Sequence, residues 1–212
     1  MNAPRRLIQA GTAGALLFVA VVVVIGATRP AYDQVRHFVS ILSLGDGGWV
    51  QIANFVVCGL LIAGLGIGLG RRWRSGPGAR AIPRLVTIAG LGLAGCGIFI
   101  PDPSLGYPPG TPDQLITPLT WHGALHYVSA AVISVALTSA VLLAIRRGWT
   151  LRLGGLTAVS IGVAVVTIIG CAAALLFSGM PPTEIVGLME RIGIYAGWTW
   201  LVLVGLLELS AR

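Results

Sequence analysis

The stretch that decides the fold is Trp121 to Ile145, W-H-G-A-L-H-Y-V-S-A-A-V-I-S-V-A-L-T-S-A-V-L-L-A-I, followed at once by Arg146 and Arg147. It holds no Asp, Glu, Lys or Arg. An apolar run longer than roughly 18 residues argues for a helix that crosses a bilayer. Five further apolar runs accompany it, at about 7–27, 49–70, 85–100, 153–177 and 192–209. The run at 85–100 is short for a hydrocarbon core about 30 Å thick, so its ends are expected to extend into the flanks. The fold these runs predict is all-α: a polytopic transmembrane bundle of six spans forming a single domain over residues 1–212.

Composition points the same way. Of 212 residues, 56% are hydrophobic and only 10% charged, against about 25% charged in an ordinary soluble domain. Mean hydropathy is +0.89. The 30 glycines suit membrane helices that approach closely through small residues. Run G-L-G-I-G-L-G at Gly64 to Gly70 lies inside a span and reads as such a packing surface, not as a phosphate cradle. Cys58, Cys96 and Cys171 all fall in apolar runs without C-x-x-C spacing, and read as small buried hydrophobes. Arg5 and Arg6 before an apolar run resemble the start of a signal peptide. The run Leu7 to Ala27 is about twice the usual 7–15 residues of that signal, so it is expected to stay as a span.

The formal charge is +7, and every basic residue is arginine. With the arginines in short loops between apolar runs, topology explains the excess and no nucleic-acid partner is implied. Six spans put Arg5, Arg6, Arg71, Arg72, Arg74, Arg80, Arg84, Arg146, Arg147, Arg152 and Arg212 on one side. Only Arg29, Arg36 and Arg191 fall on the other. The positive-inside rule then predicts both termini in the cytoplasm of a bacterial inner membrane.

On that reading the outer loops hold the unusual residues. Residues 29–48 mix apolar and polar side chains at helical spacing (Tyr32, Val35, Phe38, Val39, Leu42), as an amphipathic helix lying on the membrane would. Residues 101–120 carry six prolines, which exclude regular structure. Trp49, Trp121, Trp198 and Trp200 are expected at the outer interface as aromatic anchors. Glu190 and Arg191 are expected to pair as ions beside the last span, and Glu208 to reach water at the inner end.

The candidate site is drawn from these loops. His122 and His126 are spaced i, i+4, which places them on one helix face. With His37 they supply three imidazoles, enough to hold zinc and leave a position for water whose pKa falls to about 7. Asp102 or Glu190 would orient a ligand or take the proton, and Ser40 would orient or stabilise the reacting group. Each residue also has a structural reading. His122 can bond a loop carbonyl, Asp102 can cap a helix, and His126, one turn deeper, belongs to a class that in membranes is either paired or functional.

The runs R-H-F-V-S-I-L-S-L-G-D-G-G-W-V-Q-I-A-N-F (36–55), G-I-F-I-P-D-P-S-L-G-Y-P-P-G (97–110), W-H-G-A-L-H (121–126) and the late E-R resemble the actinobacterial branch of the domain-of-unknown-function 998 membrane proteins. That resemblance implies a bacterial protein of about six spans and no stated activity. A second similarity, to the ceramidase and adiponectin-receptor superfamily of membrane hydrolases, rests on the order His37, Ser40, Asp102, His122, His126. The sequence departs from those hydrolases in span number and in the order of the early Ser and His. It implies a zinc-dependent hydrolase of lipid or amide substrates. Two alternatives stand beside it: a non-enzymatic membrane module that binds lipid or a partner, and a haem or quinone redox protein.

Overall fold

The computed structural model describes residues 3–115, 118–176 and 184–210; over 168–176 it describes the backbone path alone. The described chain is all-helical, with six long helices: α1 (Ala3–Thr28), α2 (Trp49–Arg72), α3 (Ala81–Ile98), α4 (Trp121–Thr150), α5 (Gly154–Leu176) and α6 (Val186–Ser210). Five of them are long and apolar enough to cross a membrane, and α5 adds a shorter described apolar stretch, Gly154–Thr167. Large apolar side chains such as Leu16, Val24, Leu60, Val135, Leu142 and Leu206 stand exposed along these helices. In water such faces would be a liability, whereas hydrocarbon solvates them.

Each helix packs on its neighbour in sequence, and α6 returns to pack on α1, closing a ring. Small residues set how closely the ring is drawn. A Cβ built on Gly59 of α2 would lie 2.5 Å from the Ala94 nitrogen and 2.7 Å from the Gly90 oxygen of α3. Of the 64–70 run, Gly66 faces Pro83 and Thr87 of α3, and Gly68 faces Ile8 and Leu7 of α1. Across the ring, α4 and α6 barely touch. The tight half, α1 to α3, therefore faces a looser half, α4 to α6.

At one end, Arg147 is buried and donates to the carbonyls of Ser75 (3.2 Å) and Pro77 (3.1 Å), with its guanidinium 4.1 Å above the Trp73 ring. Glu208 is held by Arg72 at 2.9 Å. At the other end, residues 29–48 fold differently from expectation. They form turns and a short 3-10 helix, Val39–Ser43, in place of an amphipathic helix. Ile41 and Leu42 are buried there with Tyr32 and Tyr107 in a small second core. The helical spacing fails because local side-chain bonds compete with the helix. Asp33 Oδ1 accepts from the Val35 and Arg36 nitrogens, and Tyr32 Oη donates to the Phe38 carbonyl. Residues 101–115 have no regular element beyond one isolated bridge, Ser104 to Tyr107.

Two tryptophans also differ from expectation. Trp49 and Trp121 stand exposed, but Trp198 and Trp200 are buried inside the bundle. Trp200 Nε1 donates to Ser160 Oγ of α5 at 2.9 Å, which satisfies the indole without an interface. Cys58 and Cys96 are buried free thiols. The side chain of Cys171, together with residues 177–183 of the last outer loop and Arg212, lies outside the described residues.

Candidate functional site

The three histidines occupy three different environments. His37 is buried between the Tyr32 and Tyr107 rings, with centroids 5.3 and 5.5 Å away. Its Nδ1 accepts from the Asp33 nitrogen (2.9 Å), so its Nε2 carries the proton it gives to the Leu105 carbonyl (3.0 Å). Both nitrogens are thereby used in holding the loops 29–48 and 101–115 together. His122 is exposed and stacks on Trp121. His126 is buried, and its Nδ1 faces the carbonyls of Phe99 (2.7 Å) and Cys96 (3.2 Å) at the end of α3. Nδ1 must therefore carry a proton, and in the neutral ring Nε2 is left as an acceptor.

Among the described residues, no three His, Cys, Asp or Glu side chains come together in a way that could hold a metal ion. The expected set of His37, His122 and His126 is not assembled. The cause lies in the turn chemistry of residues 33–37, which spends His37 on backbone partners. Asp102 is likewise spent. Its two oxygens accept from the nitrogen (2.9 Å) and hydroxyl (2.6 Å) of Thr120, whose Oγ1 in turn accepts from the Gly123 nitrogen (3.1 Å). This arrangement caps α4, and the carboxylate sits at the positive end of the helix.

Glu190 and Arg191 do not pair. Helix α6 starts at Val186, earlier than the apolar run suggests, so both residues lie within it and point about 100° apart. Arg191 is buried and gathers the loop of residues 29–48. Its Nη1 donates to the carbonyls of His37 (2.8 Å), Gly187 (2.9 Å) and Gln34, and Nη2 donates to the Tyr32 hydroxyl. Burial pushes the Tyr32 phenol above its ordinary range, against the opposing pull of the Arg191 charge. The other two arginines at this end are also engaged. Arg29 takes the carbonyls of Asp46 and Gly47, and Arg36 binds Asp113, whose carboxyl it holds below the usual range.

Glu190 turns the other way, and its Oε2 accepts from the Val39 nitrogen at 2.6 Å. There it lines a cavity of about 700 Å³ between α4, α5 and α6, roofed by the 3-10 helix. The walls are helix stripes at i, i+3, i+4 spacing: Ala130, Ile133, Ser134, Leu137 and Val141 on α4, with Met189, Gly193, Ile194, Gly197 and Trp198 on α6. Polar groups gather where α4 and α6 begin, namely Ser40, His126, Glu184 and Glu190. Deeper hydroxyls are mostly self-satisfied, with Ser134 donating to the Ala130 carbonyl and Thr167 to the Val163 carbonyl. Ser40, His126 and Glu190 are thus brought to one cavity, while His37, His122 and Asp102 lie outside its lining.

The chain matches a protein-family model described as "Protein of unknown function (DUF998)" over residues 12–207. It belongs to the DUF998 family. No curated protein and no solved structure matches it. In this DUF998 chain the cavity-lining stripes are not revealed by the length or apolar character of the runs that hold them. The signal for them is Glu190, Gly193 and Gly197 on one face of α6. A carboxylate followed by two glycines marks space as readily as it marks close packing, and only the distance to α4 separates the two.

Proposed function

We propose that this DUF998 protein is a membrane-embedded binding module for an amphiphilic, lipid-like molecule. Its chain would lie between α4, α5 and α6, and its polar end would lie under the 3-10 helix. The observation that carries this reading is the cavity itself. It has the size of small-molecule sites, about 300–1,000 Å³, with apolar walls and a few polar groups at one end. Such a division of polarity matches an amphiphile and little else. Among the described residues the zinc-hydrolase reading has no ligand set to rest on.

The arginine asymmetry, eleven against three, supports placing this polar end at the outer leaflet of the cell membrane with both termini inside. Gly193 gives the test. It lines the cavity, and among the described residues a Cβ built on it meets nothing within 4 Å. Gly193→Leu should therefore fill the cavity without distorting the bundle. Wild-type protein in maltoside micelles should bind a radiolabelled C12 alcohol saturably, and Gly193→Leu should lose at least tenfold in affinity at unchanged melting temperature. Equal binding by both proteins would rule the cavity out as the site.

A further inference from the structure

The cavity holds a carboxylate without a counter-ion. Glu190 forms no ion pair among the described residues, because the neighbouring Arg191 spends its guanidinium on loop carbonyls and Tyr32. No arginine lines the cavity among the described residues, and residues 168–183, I-I-G-C-A-A-A-L-L-F-S-G-M-P-P-T, contain no basic residue that could supply one. A half-buried carboxylate with one backbone N–H as its partner is costly to hold charged unless a positive charge or further donors reach it. Its cavity neighbours offer no such relief. His126 has given its Nδ1 proton to carbonyls and presents an acceptor, and Glu184 is a second acid. Among the described residues, the lining at the polar end of the cavity is therefore rich in acceptors and holds no basic side chain, although the charge of the neighbouring Arg191 acts on Glu190.

We infer that the molecule bound here is a cationic amphiphile, an aliphatic amine whose ammonium group is held by Glu190. A primary ammonium has three donors and no acceptor, which complements the Glu190 carboxylate, His126 Nε2 and the Ser40 hydroxyl. Anionic lipids and fatty acids are disfavoured by the same charges. Their headgroups would meet two carboxylates with no arginine in the described lining to bind them.

This inference rests on the cavity being a binding site, and the test separates the two. Radiolabelled dodecylamine, dodecanol and dodecanoate are titrated against the full chain in maltoside micelles at neutral pH, on wild type, Glu190→Gln and Gly193→Leu. The expected result is wild-type affinity for dodecylamine at least tenfold above that for dodecanol, with dodecanoate weakest. Glu190→Gln should remove that preference while dodecanol binding stays within twofold, and Gly193→Leu should weaken all three alike. Comparable wild-type binding of the three chains, or an amine preference kept in Glu190→Gln, would overturn the amine assignment and leave the cavity reading standing. Failure of all three to bind would overturn the cavity reading itself. Should Glu190→Gln not fold, the wild-type comparison of amine, alcohol and acid still decides.

Discussion

Arg191 shows how a single residue organises one end of the molecule. Its guanidinium satisfies three backbone carbonyls and a tyrosine hydroxyl from two different elements. An unpaired buried acceptor costs about 1–3 kcal/mol. Arg191→Met should thus lower stability by about 2–4 kcal/mol, read as a fall in melting temperature together with faster proteolysis within residues 29–48. Arg191→Lys should recover only part of the loss, because an ammonium cannot present the planar fork of donors that reaches partners on both sides. A neutral Arg191→Met would show that this loop is held by its apolar core alone. The same residue explains why the expected Glu190–Arg191 pair does not form: spare carbonyls at the end of a turn compete for the guanidinium.

Among the helices, packing by small residues divides the ring into a tight half and a loose half. Gly59 and Gly64 are both glycines of α2, yet they differ in what a methyl group would meet. On Gly59 it would meet backbone atoms of α3 at 2.5–2.7 Å, whereas on Gly64 its one neighbour within 4 Å is Leu7 Cδ2 at 3.6 Å. Backbone cannot step aside as a side chain can, so Gly59→Ala should cost about 1–3 kcal/mol by overpacking. Gly64→Ala should be neutral or slightly stabilising, since alanine is the better helix former. Thermal unfolding of the two variants side by side distinguishes the cases, and equal effects would contradict the close approach of α2 and α3. From the sequence, both glycines belong to one apolar run, 49–70. Which of them faces a neighbour depends on where α1 and α3 lie.

For the whole molecule, the expected orientation rests on eleven arginines against three, and the structure gives those three local work. Arg29 and Arg191 bind carbonyls and Arg36 binds Asp113, so each of the three holds loop structure together at its end of the bundle. Single cysteines at Ser75 and at Asp113, in a Cys58→Ala, Cys96→Ala, Cys171→Ala background, should report the topology in intact cells. The Asp113→Cys site should react with a membrane-impermeant maleimide, and Ser75→Cys only after permeabilisation. The reverse pattern would invert the orientation and move the cavity's polar end to the inner leaflet.

What the sequence determined by itself is the all-helical class and the positions of the long apolar helices. Both are properties of local composition, readable from run length and from the scarcity of charge. It also placed His126, Ser40 and Glu190 among the residues worth watching, since ionisable groups near a membrane core are costly to keep. The tertiary structure alone decided which of them meet. His37 was claimed by a turn five residues long and Asp102 by the cap of α4, both through short hydrogen bonds that composition does not reveal. The cavity exists because α4 and α6 stand apart across the ring, and the Glu190, Gly193 and Gly197 face of α6 does not by itself fix how far away α4 lies.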